Sequence, residues 1–180
     1  PCNLPTLPPG MRKHLSSKAM LRGDREGSLY LGDPYVTQIP IERLISRNYA
    51  AGLRASINPD KATPSSLLPG RLAPGEDDET THFSIIDSAG NRVSATQTVN
   101  LTYGSGMIVE GTGFLLNNEM DDFALKAGTP NAFGVMGYAA NLVAPGKRML
   151  SSMTPSFMDN KNEAVVLGTP GGSRIITMVL

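Results

Sequence analysis

Three short clusters in this chain carry groups able to do chemistry. Gly171-Gly172-Ser173 follows an apolar run. Consecutive glycines let backbone N–H groups turn toward one point and hold an anion. A tight turn satisfies the same residues. Glu119, Asp121 and Asp122 sit within four positions, as either a binding loop or a solvated acidic turn. Ser151-Ser152 precedes Met153-Thr154-Pro155 and reads as a turn or cap with two hydroxyls to offer. Other site types find little support. His14 and His82 are far apart, and neither has a Cys or His at ligand spacing, so no metal site is expected. Neither G-x-G-x-x-G nor a Walker A sequence occurs, and no cofactor is expected. Cys2 is the single cysteine, which excludes an internal disulfide framework and reads as an inert thiol.

Composition narrows the class. The 180 residues fit one large domain or two small ones. Apolar residues make up 40%, but aromatics only 6% with no Trp, so the core must be aliphatic and Met-rich. Sixteen Lys and Arg balance sixteen Asp and Glu, which argues against a nucleic-acid binder or a polybasic membrane protein. The 19 glycines and 14 prolines exceed average usage of about 12% and point to many turns. No apolar run approaches the roughly 18 residues needed to cross a bilayer.

The elements that must position the clusters can be read from periodicity. Met11–Leu21 reads as a short polar helix. Pro40 opens a second, running to Leu53, with apolar residues at 41, 44, 45 and 49. Residues 64–75 are rich in breakers and lead into the acidic run 76–79, an exposed linker. From Thr80 the pattern changes to a period of two, the mark of a half-buried strand. Thr81, Phe83 and Ile85 alternate with Thr80, His82 and Ser84. After the turn at 87–91, Val93, Ala95 and Val99 share one face, and Ser94, Thr96, Thr98 and Asn100 the other. The result is a hairpin with one apolar and one hydroxyl-rich face. Residues 113–116 are strand-like, 127–147 form a long loop of the kind that is often functional, and 164–167 read as a buried strand. The apolar run at 175–180 ends without a stop signal, and the chain is expected to be a piece of something longer.

In this order the pieces stop looking independent: Thr80-Thr81-His82, Thr98-x-Asn100, Asn117-Asn118-Glu119-Met120-Asp121-Asp122, Ser151-Ser152-Met153-Thr154-Pro155 and Pro170-Gly171-Gly172-Ser173-Arg174. The series resembles the gamma-glutamyltranspeptidase (glutathione hydrolase) family of N-terminal nucleophile (Ntn) hydrolases. Tyr30-Leu31-Gly32-Asp33-Pro34 and Lys61-Ala62-Thr63-Pro64-Ser65-Ser66 extend the likeness upstream. It implies an α+β Ntn-hydrolase four-layer αββα sandwich, incomplete here. Residues 1–79 would be the end of a large-subunit region with its linker. Residues 80–180 would be the start of the small catalytic subunit region, the two forming one intertwined domain.

The resemblance implies self-cleavage between Glu79 and Thr80. A threonine hydroxyl is a weak nucleophile that needs an adjacent base. Cleavage supplies one, the new α-amine of the same residue, whose pKa near 8 suits proton transfer at neutral pH. By the same likeness Thr98 orients the nucleophile and Asn100 binds substrate. Glu119 and Asp122 hold the substrate's α-amino group, and Ser151 and Ser152 its carboxylate. Gly171 and Gly172 form the oxyanion hole. The loop 127–138 corresponds to a lid, with Phe133 where many bacterial members place a tyrosine, so closure is looser or held by packing alone. An upstream arginine that grips the carboxylate in the family is not reached.

The activity so implied is γ-glutamyl transfer from glutathione or a related donor to water, an amino acid or a peptide, in a periplasmic or extracellular setting, with large and small subunits cut from one precursor. Two other readings stay open: a glutaryl-type β-lactam acylase of the same family, and a catalytically dead binding homologue. Intact Glu119 and Asp122 favour the glutamyl donor over the glutaryl one, which has no α-amino group.

Overall fold

The longest element draws on polar rather than apolar burial. In the computed structural model, which describes residues 4–64 and 80–180, α1 spans Pro9–Tyr30. Pro9 is tolerated in the first turn, where its missing N–H has no helical partner anyway. The helix is twice the length expected from sequence, and the reason is its buried stripe. Lys18, Arg22 and Glu26 recur every four residues and are all buried. Each is paired, as burial of charge requires. Arg22 donates through Nε to Ser56 Oγ at 2.7 Å and through Nη2 to Ser56 O at 2.8 Å. Lys18 Nζ reaches Thr63 O at 3.4 Å, and Glu26 accepts from the Tyr49 hydroxyl and from Arg25. A search for apolar periodicity is blind to such a face.

The expected helix from Pro40 to Leu53 is two helices, α2 (Ile41–Leu44) and α3 (Arg47–Ala55). Ser46 makes the break. Its backbone is extended, and its hydroxyl accepts the Tyr49 N–H at 3.2 Å, an N-cap for α3. Arg43 then stacks over the Tyr49 ring at 4.6 Å and the Tyr30 ring at 5.4 Å.

The described residues divide into two compact units. One comprises the described residues of 1–72 with 124–131 and 135–148; the other comprises those of 73–123 with 132–134 and 149–180. The first unit holds α1 to α3 and a two-residue antiparallel pair, β3 (Thr129–Pro130) with β4 (Met136–Gly137), inside the loop expected to be irregular. Buried Asp33 is held there by Arg148, through the backbone N–H at 2.9 Å and Nη2 at 3.1 Å. These bonds keep its carboxyl far below the ordinary range.

The second unit carries the expected hairpin. β1 (Thr80–Ile86) pairs antiparallel with β2 (Arg92–Thr98), in a register that sets Thr80 opposite Thr98, His82 opposite Thr96 and Ser84 opposite Ser94. A second antiparallel pair joins β5 (Ser156–Asp159), which the sequence did not suggest, to β6 (Ala164–Leu167), which it did. β6 lies against both strands of the hairpin. The strand expected at 113–116 reduces to one bridge, between Ile108 and Leu115. The chain then passes a 3-10 turn at Gly172–Arg174 into the short helix α4 (Ile175–Val179). The fold class is α+β, with the antiparallel pairs of an incomplete Ntn-hydrolase sandwich. The linker expected at 64–79 lies, apart from Pro64, outside the described residues.

On the apolar face of the hairpin Phe83, Ile85 and Val93 are 42%, 51% and 45% exposed in this chain. It is the hydroxyl-rich face that β6 covers, with Ser94 Oγ donating to Leu167 O at 3.0 Å. Polar side chains can be packed inward when each finds a partner, and here the hydroxyls do.

Candidate active site

Thr80 is the first residue of β1 and is buried, 8% exposed. Its hydroxyl donates to Thr98 Oγ1 at 3.2 Å, across the strand pair that makes them direct partners. Thr98 Oγ1 also accepts the Asn100 N–H at 2.9 Å. That local bond ends the strand, because it turns the chain at residue 100. Asn100 takes φ +77, a left-handed conformation that Asn tolerates better than most residues. The sequence reading extended the strand through Asn100. In the structure Asn100 lies past its end, buried in the turn.

From there Asn100 reaches the acidic segment. Its Nδ2 donates to Asn118 O at 3.1 Å, Asn118 N–H donates to Val99 O at 3.2 Å, and Leu101 N–H donates to Asn118 Oδ1 at 3.0 Å. This three-bond clasp fixes the 3-10 turn Glu119–Asp122 at the end of the hairpin. The sequence reading gave Asn118 no role of its own. Its only signal was its place before the acids, since two of its three bonds here use its backbone.

The three acids are not equivalent. Asp121 Oδ2 accepts the Ala132 N–H at 2.9 Å and so anchors a loop. Burial raises the pKa of Glu119. Burial first, then the charges of Glu119 and Asp121, push the Asp122 carboxyl up to about 7 from an ordinary 3.8. Carboxyls held this way gain from a cation placed between them. The folded chain keeps the Asp122 proton between pH 3.8 and about 7, where the unfolded chain has lost it. Asp122 therefore contributes stability that is full below that window and falls as the pH rises through it.

Gly171 and Gly172 both have positive φ, +137° and +53°, which side chains rarely adopt. Gly171 is buried, yet among the described residues neither its N–H nor that of Gly172 has an acceptor. Buried N–H groups are rarely left unpaired, and a pair of them is a ready anion site. Phe133 is buried against this turn, its Cε1 lying 3.2 Å from where a Gly172 side chain would begin. Packing thus holds Phe133, whose ring lacks the hydroxyl of a tyrosine.

Ser151 and Ser152 lie in the irregular segment before β5. Ser151 Oγ accepts the Met153 N–H at 3.2 Å, and Ser152 O accepts from the Thr154 hydroxyl at 2.9 Å. Their observed bonds are local. The structure brings Thr80, Thr98, Asn100 and the acidic turn together by direct bonds. Among the described residues, no group of three His, Cys, Asp or Glu is disposed to hold a metal.

The sequence profile described as Gamma-glutamyltranspeptidase matches residues 8–180. The chain belongs to this family. It is 47% identical over 168 residues to the Glutathione hydrolase proenzyme of Pseudomonas aeruginosa, covering 92% of this chain and 29% of that protein. With the Glutathione hydrolase proenzyme of Escherichia coli it shares 48% over 155 residues, 85% of this chain and 27% of that one. The chain thus spans less than a third of the length of these relatives. It also resembles the solved Gamma-glutamyltranspeptidase from Pseudomonas nitroreducens complexed with L-DON, at TM-score 0.53 and 60% identity, over 55% of this chain and 52% of that one.

Proposed function

We propose that the protein containing this chain is a γ-glutamyl-transferring hydrolase that cuts itself before Thr80 and uses that residue as nucleophile. The observation that carries the reading is the Thr80 hydroxyl, buried at the head of a strand and donated to Thr98 Oγ1. Residues 1–79 would then close the large subunit and 80–180 open the small one. In the mature chain the Thr80 α-amine takes the hydroxyl proton as Oγ1 attacks the γ-carbonyl of the donor. The oxyanion forms beside the N–H groups of Gly171 and Gly172. Collapse expels the amine, which takes the proton, and leaves a γ-glutamyl ester on Thr80. Water or the amine of an amino acid or peptide then releases the glutamyl group. Glutathione is the proposed donor, on the names of the relatives. A periplasmic or extracellular site of action is proposed from the family resemblance.

The test is direct. Full-length protein should run as two chains on a denaturing gel, the smaller beginning at Thr80, and should release amine from a γ-glutamyl amide. A single chain with no turnover would end the proposal.

Recognition of the head group gives a second expected result. An amino acid end needs acceptors for its ammonium and donors for its carboxylate, supplied here by Asp122 with Glu119 and by Ser151 with Ser152. Losing one charged hydrogen bond costs roughly 1.5–3 kcal/mol, about tenfold to a hundredfold in affinity. Asp122→Asn should raise the Michaelis constant for γ-glutamyl donors by that factor and leave a glutaryl amide nearly unaffected. In the parent enzyme the same constant should rise as the pH falls below about 7, because the protonated carboxyl cannot hold the ammonium. Equal losses on both donors would remove Asp122 from ammonium recognition.

A further inference from the structure

His82 stands two residues beyond Thr80 on the same face of β1 and is not used in the mechanism above. Hydroxyls hold its ring at both nitrogens. Nδ1 is bonded to Thr96 Oγ1 at 2.8 Å and Nε2 to Ser84 Oγ at 2.9 Å. A hydroxyl can donate or accept, so either neutral tautomer fits the same position. The ring is therefore fixed on the packed face of the hairpin.

Its flank meets the chain at Gly168. A Cβ built there would lie 2.2 Å from His82 Cε1 and 2.3 Å from Nδ1, so the ring occupies the space that any side chain at 168 would need. Gly168 is the first residue after β6. The preceding residue is pinned as well, through Ser94 Oγ to Leu167 O. Three and four residues after Gly168 come Gly171 and Gly172, with their unpaired N–H groups. One side chain of the nucleophile's strand thus sets the point from which the glycine turn departs.

We infer that His82 is a positioning residue for the Gly171–Gly172 turn, acting through contact with the Gly168 backbone rather than through proton transfer. The inference rests on the proposed roles of Thr80 and the two glycines. A shift of about 1 Å in a group aimed at the transition state can lower the rate on the order of 100-fold while binding the substrate's ground state much as before.

The experiment is a double-mutant cycle in the full-length enzyme, read as kcat and KM for a γ-glutamyl amide beside thermal melting. His82→Ala is expected to lower kcat at least about tenfold with donor KM changed less than about threefold, and His82→Asn, which keeps one polar partner, to recover part of the loss. Gly168→Ala in the parent should lower kcat by about tenfold to a hundredfold, because its methyl meets the ring. In the His82→Ala background the same change meets no ring and should cost less than about threefold, a coupling of at least about tenfold between the two positions.

Coupling below about threefold, or a loss falling on KM and melting with kcat preserved, overturns the inference. Where the alanine variant does not accumulate, His82→Ser runs the same cycle. Thr80→Ala separates the two readings. If that variant still turns over donor, the nucleophile assignment fails. If it is dead and the cycle shows no coupling, only the role of His82 fails.

Discussion

Replacing Thr80 with alanine in the full-length precursor is expected to leave one uncut chain and to abolish donor turnover, a loss of at least about 10⁴-fold as for other nucleophile deletions. On the proposed mechanism both reactions need the same oxygen. In processing, Oγ1 would attack the carbonyl of residue 79 and the resulting ester would be hydrolysed; in turnover it would attack the donor. The fold should lose little, since the substitution removes one hydrogen bond, to Thr98, and one buried methyl, each worth about 1 kcal/mol. Melting within a few degrees of the parent is therefore expected alongside the catalytic loss. Thr80→Ser keeps an oxygen in place and should still process, more slowly, because the serine side chain is less constrained about χ1 than a β-branched one. Gel mobility, N-terminal sequencing and release of amine from a γ-glutamyl amide read all three outcomes. Normal cleavage in the alanine variant would remove Thr80 from the chemistry.

The hairpin that carries Thr80 was legible because alternation is a two-residue signal that survives in a short segment. It located β1 and β2 within a few residues and put Thr80, His82, Thr96 and Thr98 on one face. It could not say which face is packed. Periodicity separates two faces but does not say that β6 lies over the hydroxyl-rich one, where His82 Nδ1 meets Thr96 Oγ1 and Ser94 Oγ donates to Leu167 O. The same blindness shortened α1, whose inward stripe of Lys18, Arg22 and Glu26 looks like a solvated face until Ser56, Thr63 and Tyr49 are seen against it.

Breaks were harder than elements. Ser46 ends one helix and caps the next, a role that only its backbone reveals. At the candidate site, type and order singled out Thr80, Thr98 and Asn100, which direct bonds join. The scaffolding residues Asn118 and Gly168 were not singled out, since one works largely through backbone bonds and the other through the side chain it lacks.

The second large effect is expected at the glycine turn. Gly172 has φ +53°, a conformation that costs a residue with a side chain about 1–2 kcal/mol. An added methyl would also stand 3.2 Å from Phe133 Cε1 and 3.3 Å from Cδ1. Phe133 is 5% exposed, so the ring has little room to retreat, and the strain must move the backbone instead. The N–H groups of Gly171 and Gly172 then leave the place where negative charge develops. Loss of one such donor costs about 2.7–4 kcal/mol of transition-state stabilisation, a factor of 10²–10³ in kcat. Gly172→Ala is therefore expected to lower kcat on the order of 100-fold, with the donor's KM changed only a few-fold, because the proposed ammonium and carboxylate contacts lie elsewhere. Phe133→Ala placed on top of it should return part of the rate by giving the methyl room, while the cost of the backbone conformation remains. Steady-state kinetics on the purified, processed variants decide the matter. A kcat within threefold of the parent for Gly172→Ala would show that these N–H groups do not meet the oxyanion.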